Sequence, residues 1–449
     1  MVIADLCERY FPDAFVFALA AVVIVFALGL GVGESPAALV TAFGDGFWSL
    51  IPFTMQMALI IIGGFAVASS RPCTRLIGAL ASIPRSPRAA VAFVALFAML
   101  SSLLSWGFSL IFTGLLVREL VRRIEGIDLR AIGGAAYLGL GSVWALGFSS
   151  SSALMMATKS SIPAGLYPIS GVIPLSQTIL LWQNGALAAI LIVLSVTVAY
   201  YSCPDAARAK TATMLGVEFK PMAHEAVESR TPAEKLENTP ILTWAVVAMM
   251  IVYLGFQIRA KGIIATLDLN NFNFIFLTAA LLLHSTPRNF LRAVADSVPA
   301  TSGVLVQFPF YAGIFGLITK TRLEEILSNF FLAIANENTF NPIVTLYSAI
   351  LGVFIPSGGG KWVIEAPYLL KAANELEMHL GWVVQTYNAA ETLPNLLNPF
   401  FMLPLMGILN VKARDIAGYS ILQFLFHAPV VLFVCWLLAY TLPYVPPVL

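Results

Sequence analysis

Apolar runs of roughly twenty residues recur along the whole chain and are separated by short polar stretches. A helix of about 20 residues crosses the hydrocarbon core of a bilayer, whereas membrane β-barrels show segments of about ten alternating residues. The pattern therefore predicts an all-α polytopic membrane protein. We expect nine spans, at residues 14–33, 48–70, 131–158, 179–201, 240–258, 263–284, 300–318, 380–409 (broken) and 416–442, with 162–175 able to hold one more short helix.

The apolar stretch at residues 89–117 is flanked by basic residues at both ends. They are Arg71, Arg75, Arg85 and Arg88 before the stretch, and Arg118, Arg122, Arg123 and Arg130 after it. Segments rich in Lys and Arg stay in the cytoplasm, so both ends should lie on the same side of the membrane. This predicts a re-entrant hairpin with its tip at Ser105, Trp106, Gly107 and Ser109, where small and hydroxyl residues permit a break.

A second break lies within the apolar residues 342–370, at Pro356 and the triple glycine that follows Ser357. Proline removes a backbone N–H and glycine frees the backbone, so a helix cannot continue through this segment. Irregular backbone at membrane depth must be buried in protein or line a wet cavity. We therefore expect a second hairpin whose tip binds a ligand. The alternative is a glycine-rich turn at the membrane surface from which Lys361 and Glu365 reach the interface.

The two halves of the chain share one layout. Gln56 lies 50 residues before Trp106 and Gln307 lies 50 residues before Ser357, so an offset of 251 relates both pairs. We divide the chain into a first repeat (1–201), a polar cytoplasmic connector (202–239) and a linking span with a second repeat (240–449). The odd number of spans between the copies predicts that the second is inverted. Most of the 25 basic residues fall on one side when the N-terminus is cytoplasmic.

Composition excludes several classes of function. The chain has 449 residues, of which 59% are hydrophobic and 11% charged, and its net charge of +1 gives no basic surface for nucleic acid. Its four cysteines and four histidines show no metal-binding spacing. Lys361 is followed by Trp362 instead of Ser or Thr, which excludes a phosphate-binding loop. We expect no enzyme activity, no metal and no cofactor.

Two polar tips entering from opposite sides are typical of secondary transporters with inverted repeats, whose helix N-termini hold a carboxylate. Lys361 offers a full positive charge to such an anion, and Glu365 lies one helical turn away. The predicted substrate-binding residues are Ser105, Trp106, Gly107, Ser109, Gln307, Ser357, Gly358, Gly359, Gly360, Lys361 and Trp362. The two tryptophans are equally compatible with anchoring at the membrane interface.

A second set of polar residues within the spans is a candidate for ion coupling. It comprises Gln56, Ser149, Ser150, Glu365, Glu391, Asn395 and Asn398. The two glutamines are equally compatible with hydrogen bonds between helices, and Glu391 with a carboxylate that merely lines a cavity. The coupling ion is H+ or Na+. The absence of aspartate from both tips favours protons, carried by Glu365 or Glu391.

Several motifs resemble the short-chain fatty acid transporter family, the AtoE-like proteins. They begin at Gly44 (GDGFW), Met55 (MQMALI), Trp106 (WGF), Val306 (VQFPFYAGI) and Pro356 (PSGGG, followed by WVI). The resemblance covers the chain from about residue 10 onward. It implies uptake of small monocarboxylates such as acetoacetate or butyrate across a bacterial inner membrane. We expect this uptake, a form of lipid transport, to be symport with H+ or Na+. It also implies the wider ion-transporter superfamily, whose members are often dimers with a scaffold part and a moving transport part.

Two positions depart from the family pattern, in which histidine often stands at the position of Lys361 and glutamine at that of Glu365. A fixed positive charge beside a carboxylate can change the preferred substrate or the coupling. A carrier of another organic anion, such as a C4-dicarboxylate, is therefore the main alternative. A channel is a weaker alternative. A membrane-embedded enzyme is weaker still, because no histidine is placed to activate the serines at 149–152.

Overall fold

A computed structural model describes residues 14–219, 231–355, 357–397 and 399–448, and their regular structure is helical. Two residues named above, Pro356 and Asn398, lie outside the described residues, as does the N-terminal segment whose side of the membrane was predicted. The first part of the chain forms α1 (Ala14–Gly31), α2 (Pro36–Phe47), α3 (Ile51–Ala68), α4 (Arg71–Leu80), α5 (Pro87–Leu104), α6 (Trp106–Arg123), α7 (Leu129–Leu138), α8 (Ser151–Ala157), α9 (Tyr167–Ser170) and α10 (Trp182–Ser202).

The second part begins with a short helix in the connector. Its helices are α11 (Pro232–Glu237), α12 (Ile241–Lys261), α13 (Ile263–Thr266), α14 (Leu269–His284), α15 (Pro287–Ser297), α16 (Ser302–Thr319), α17 (Leu323–Ile334), α18 (Phe340–Phe354), α19 (Gly358–Glu375), α20 (Leu380–Asn395), α21 (Leu403–Leu409) and α22 (Ala413–Ala439).

Hydroxyl residues followed by proline start several of these helices. The side chains of Ser35, Ser86 and Thr286 accept hydrogen bonds from backbone N–H groups in the first turns of α2, α5 and α15. A proline occupies an early position in each of these helices, where its missing N–H costs nothing. Local sequence thus fixes where these helices begin.

Seven stretches of the described residues are long and apolar enough to cross a membrane. They are Ile51–Ala68, Pro87–Leu104, Leu129–Ala157, Trp182–Ser202, Pro232–Lys261, Pro287–Thr319 and Asp415–Ala439. Shorter apolar helices occur at Ala18–Gly31, Leu269–His284 and Phe340–Val353. The nine predicted spans do not therefore correspond one for one to long helices. Six of them do, two are short apolar helices, and the broken span at 380–409 belongs to neither group because it is divided into α20 and α21. The first arm of the predicted hairpin at 89–117 is itself long enough to span.

The predicted span at 131–158 is not one continuous helix. After α7 the backbone forms a π-helical turn (Gly139–Val143) and a 3-10 turn (Trp144–Leu146), and a further turn at residues 147–149 then leads to α8. At Gly147 an added Cβ would lie 2.1 Å from the carbonyl oxygen of Leu103. Only glycine permits this approach, by which the break packs against the end of α5.

Helix starts recur at a constant spacing of 251 residues. Pro36 and Pro287 open α2 and α15, Ile51 and Ser302 open α3 and α16, and Leu129 and Leu380 open α7 and α20. These three pairs of helix starts have the offset that relates Gln56 to Gln307, and the division into two repeats stays a prediction. The inversion of the second copy stays a prediction.

Both predicted breaks produce helical hairpins. Ser105 separates α5 from α6, and the Ser109 hydroxyl donates to the Ala98 carbonyl of the opposite arm at 2.8 Å. Ser357 begins α19, and the Tyr347 and Tyr368 hydroxyls meet across the second hairpin at 2.9 Å. Whether each hairpin enters and leaves by the same side of the membrane stays a prediction.

The connector is described at residues 202–219 and 231–239, and its first part, 202–219, contacts the first half of the chain. The buried Asp128 carboxylate accepts a hydrogen bond from the Lys210 backbone at 2.8 Å, and the Lys210 carbonyl accepts one from Leu129 at 2.9 Å. Arg88 and Asp205 form an exposed ion pair. These contacts fix the start of α7. The division into repeats and connector is a prediction that they do not test.

Candidate functional site

The first hairpin tip is held by three serines. Ser105 caps α6 by accepting a hydrogen bond from Phe108 N–H at 3.3 Å. The Ser149 hydroxyl accepts from Trp106 N–H and donates to the Ser102 carbonyl, both at 2.7 Å. Ser149, in the break after α7, thus ties that break to the tip. Its hydroxyl has both a donor and an acceptor within the protein, and ion coupling through Ser149 stays a prediction.

The second tip uses its glycines for close packing. An added Cβ would lie 2.5 Å from the Trp144 ring at Gly358, 2.9 Å from the Phe53 ring at Gly359 and 2.3 Å from the Tyr311 ring at Gly360. The three rings come from the break after α7, from α3 and from α16. The triple glycine therefore lets three aromatic side chains from different elements contact the start of α19.

A cavity of about 560 Å³ lies between the two tips. Six of the predicted substrate-binding residues line it: Trp106, Gly107, Gln307, Ser357, Gly358 and Gly359. The rest of its wall is mainly apolar, with Met57, Ile61, Phe65, Leu110, Ile111, Leu140, Val304 and Phe308 among the residues. The structure thus brings residues of both predicted tips to one cavity of the size usual for small-molecule sites.

The other predicted substrate-binding residues do not line this cavity. Ser109 bonds the opposite arm of its hairpin, Ser105 caps α6 and Gly360 packs on Tyr311. Trp362 is fully buried and its ring lies 4.7 Å from that of Tyr387, so it is not an interface anchor. None of the described residues that line the cavity carries a charge.

Lys361 lies beside the cavity in a buried charge cluster, which we define as Lys361, Glu365 and Glu391. All three side chains are 0% exposed. The ammonium lies 3.2 Å from Glu365 Oε1 and 2.9 Å from Glu391 Oε2, donates to the Ser348 carbonyl at 2.8 Å and sits 4.4 Å from the centre of the Tyr387 ring. In this conformation the Lys361 ammonium, which was predicted to bind the substrate anion, is paired with Glu365 and Glu391 of the protein itself.

The two carboxylates of the cluster have different surroundings. Glu365 accepts a hydrogen bond from the Ser348 hydroxyl as well as facing the ammonium. Glu391 Oε2 lies at ion-pair distance from the ammonium, but the two groups are not aligned as in a hydrogen bond. Neither carboxylate oxygen of Glu391 has a hydrogen-bond partner among the described residues. Glu391 is therefore the less stabilised of the two as an anion.

The two glutamines predicted as equivalent make different contacts. Gln56 donates to Asn270 at 2.7 Å and accepts from Ser161 at 3.0 Å, which are bonds between helical segments. Gln307 lines the cavity and accepts a hydrogen bond from Tyr311 at 3.3 Å. The two halves therefore agree in layout and differ in the use of this residue.

Two more coupling candidates belong to buried polar contacts away from the cavity wall. Ser150 caps α8 and accepts from Asn388 at 2.9 Å, and Asn388 in turn donates to Gln385 at 2.7 Å. Asn395 bonds the Leu140 carbonyl at 3.4 Å. Ion coupling through either residue stays a prediction.

Some site residues were not predicted from the sequence. Trp144 lines the cavity and its indole N–H has no hydrogen-bond partner among the described residues. The only feature of the sequence that could have indicated its place in the site is its position shortly before the four serines at 149–152. Ser348 and Tyr387 contact the charge cluster from α18 and α20, and no local sequence pattern indicates these contacts, so only the folded structure reveals their roles.

Comparisons with known proteins agree on the family. A family model described as short chain fatty acid transporter matches residues 1–438. A provisionally named short-chain fatty acid transporter of Escherichia coli K12 is 35% identical, with 93% of this chain and 94% of that protein covered. One from Haemophilus influenzae, with the same provisional name, is 32% identical, with 94% and 95% covered.

Two solved structures share the fold. The YdaH transporter of Alcanivorax borkumensis has a TM-score of 0.57 at 13% identity, covering 97% of this chain and 100% of that one. MtrF of Neisseria gonorrhoeae, described among antimetabolite efflux pumps, has a TM-score of 0.57 at 12% identity, covering 97% of each chain. The chain therefore has an all-helical transporter fold, and its family is one of transporters and not of enzymes. This multi-pass protein of the bacterial inner membrane belongs to the short-chain fatty acid transporter family.

Proposed function

We propose that this chain is a proton-coupled symporter of short-chain monocarboxylates such as acetoacetate or butyrate. The observation that carries the proposal is the uncharged cavity between the hairpin tips. Its apolar walls suit a short alkyl chain, and α19 begins at Gly358, so the first backbone N–H groups of that helix point toward the cavity end. A carboxylate there is favoured by the helix dipole.

The same cavity favours one carboxylate over two. A C4-dicarboxylate would place its second charge against walls that offer no charged side chain among the described lining residues. Burial of an unpaired charge is costly, so a dicarboxylate should bind more weakly. The main alternative substrate is thus disfavoured.

The charge cluster supports coupling to protons. With both carboxylates ionised the cluster has a net charge of −1, because it holds one ammonium and two carboxylates. Glu391 lies directly behind the cavity end, since a Cβ at Gly358 would be 3.5 Å from Glu391 Cγ. An anion bound at Gly358 would be repelled by ionised Glu391 and not by its protonated form. Substrate and proton should therefore bind together, which is the requirement for symport.

The test is uptake of radiolabelled butyrate by proteoliposomes under an imposed pH or sodium gradient. We expect saturable uptake driven by an inward proton gradient in the wild type. Glu391→Gln should abolish the response to that gradient, and Glu325→Gln, at an exposed position of α17, should not. Succinate in excess should compete weakly.

Three outcomes would overturn parts of the proposal. Uptake driven only by a sodium gradient would refute H+ as the coupling ion. Efficient competition by succinate would refute the preference for monocarboxylates over dicarboxylates. Absence of butyrate and acetoacetate uptake under both gradients would remove the substrate assignment. The homodimer implied by the family resemblance is a separate proposal, checked by the mass of the purified protein in nanodiscs.

A further inference from the structure

A second cavity, of about 230 Å³, opens where α18 and α20 begin and α22 ends. We call it the vestibule. Three titratable residues line it: the exposed Glu337 and Glu377, and His379. Carboxylate and imidazole groups are the side chains that proteins use most often to transfer protons. The vestibule is therefore suited to collect protons.

The start of α22 lies on the side of the membrane that carries the arginines flanking the first hairpin, and the vestibule lies at its other end. Near its start α22 packs on α7, where a Cβ at Gly134 would lie 2.8 Å from Tyr419 Cβ. Its other end contributes Trp436 and Tyr440 to the vestibule. A helix of 27 residues is about 40 Å long, which exceeds the thickness of the hydrocarbon core. By the positive-inside rule the vestibule faces the outside of the cell.

A polar face of α18 leads inward from the vestibule. Asn341, Thr345 and Ser348 are spaced at i, i+4 and i+7, so they lie on one side of the helix, and each is at least 98% buried. Asn341 also lines the vestibule. Buried polar residues in a membrane helix are costly, and a continuous row of them indicates a function.

Side chains of α20 and α22 complete this polar face. The Thr386 hydroxyl donates to Asn341 Oδ1 at 2.9 Å, and the Cys435 thiol lies within hydrogen-bonding reach of Thr345 and Thr386. The four groups form a buried hydrogen-bonding cluster directly below the vestibule. It extends toward the middle of α18 and α20.

The inner end of the polar face reaches the charge cluster. One turn beyond Thr345, the Ser348 hydroxyl donates to Glu365 Oε2, and the Ser348 carbonyl accepts from the Lys361 ammonium at 2.8 Å. Residues three apart on a helix are about 5–6 Å apart at Cβ, a gap that one water bridges. The polar groups of Asn341, Thr386, Cys435, Thr345 and Ser348 thus lie in this order between the vestibule and Glu365, and the step from Thr345 to Ser348 requires one bridging water.

We propose that protons pass from the vestibule to the charge cluster along Thr386, Thr345 and Ser348. Each hydroxyl accepts a proton on its oxygen and releases its own proton to the next acceptor, so no charge stays on the path. The proton that enters from water first reaches Glu365, and Asn341 holds Thr386 in position. The Lys361 ammonium, which contacts both carboxylates, then gives a proton to Glu391 and takes one from Glu365. This path rests on the proposed proton coupling and adds to it the side from which protons arrive.

The test measures proton access without requiring transport. In reconstituted membranes, infrared spectroscopy follows how fast the protonated carboxyl band exchanges after a switch from H2O to D2O, with the band assigned by its loss in Glu365→Gln or Glu391→Gln. Thr345→Val removes the hydroxyl and keeps the shape. Thr345→Ser keeps the hydroxyl. Thr113→Val is the matched control, because Thr113 is also fully buried and also bonds a carbonyl four residues back.

We expect Thr345→Val to slow the exchange about tenfold or more, because the relay loses a member, and Thr345→Ser to restore it to within about twofold. Thr113→Val should exchange at the wild-type rate. Equal rates in Thr345→Val and wild type, equal slowing in Thr113→Val, or no carboxyl band that the glutamine variants remove would each overturn the path.

Butyrate uptake by the same preparations separates this inference from the function on which it rests. Slow exchange in Thr345→Val without butyrate uptake by the wild type would overturn the substrate assignment and support the path. Proton-driven uptake by the wild type with unchanged exchange in Thr345→Val would support the function and overturn the path.

Discussion

Removing the ammonium of the charge cluster should cost far more stability than removing one of its carboxylates. Lys361→Met leaves two buried carboxylates without a counter-charge, and breaking a buried ion pair in this way costs about 3–5 kcal/mol. Glu391→Gln leaves one ammonium and one carboxylate, a matched pair at 3.2 Å. Because Glu391 has no hydrogen-bond partner among the described residues, its loss should cost less than about 1 kcal/mol.

Thermal unfolding of the purified protein measures this difference. With an unfolding entropy of about 2.1 cal/mol/K per residue over 449 residues, 4 kcal/mol corresponds to a shift of roughly 4 °C. We therefore expect Lys361→Met to lower the midpoint by about 3–5 °C and Glu391→Gln by less than about 1 °C.

An exposed lysine provides the control for loss of a charge as such. Lys320 pairs with Asp45 at 2.8 Å, and both side chains are about half exposed. Lys320→Met should therefore lower the midpoint by less than about 1 °C. The reasoning fails if Glu391→Gln destabilises as much as Lys361→Met, because the cluster would then need both carboxylates ionised.

Three further predictions concern the tip, the glutamines and the vestibule. Gly360→Ala should destabilise the protein by about 1–3 kcal/mol, because the added Cβ would overlap an aromatic ring. Gly407→Ala is the control, because no atom lies within 4 Å of its added Cβ, and thermal unfolding of the two variants measures the difference. Gln307→Leu should raise KM for butyrate uptake with little change in stability, and Gln56→Leu should do the reverse, since only Gln307 lines the cavity; equal effects on KM would contradict this. Burial lowers the pKa of His379 below its ordinary value of 6.5, so the folded protein binds that proton less readily than the unfolded chain. Neutral His379 should make its full contribution to the free energy of unfolding above about pH 6.5, and this contribution should decrease as the pH falls. His379→Asn keeps a capping side chain, so the midpoint of thermal unfolding of this variant should depend less on pH between about pH 7 and 5.

Local sequence was sufficient to predict the parts of the site that depend on backbone chemistry. The breaks at Ser105 and Ser357 follow from small and hydroxyl residues next to glycine, and both serines begin helices as N-caps. The pairing of Lys361 with Glu365 follows from their i, i+4 spacing. Each of these features depends on neighbours within one or two turns.

The contacts between distant segments were not predictable in this way. Glu391 joins the cluster because α20 packs against α19, and the sequence spacing of 30 residues between Lys361 and Glu391 carries no geometric information. Gln56 and Gln307 sit at matching positions of the two halves and differ because Asn270 and Ser161 surround only the first. Similar local sequence does not fix which partner a polar side chain finds.

The packing of the second tip restricts how this sequence can evolve. Each glycine of the tip is matched to one ring, so Gly358, Gly359 and Gly360 depend on aromatic residues more than 40 positions away along the chain. A larger residue at Gly360 becomes acceptable only when Tyr311 is replaced by a smaller one. Substitutions at these positions should therefore occur in pairs among relatives, so that the tip and the three ring positions change together or not at all.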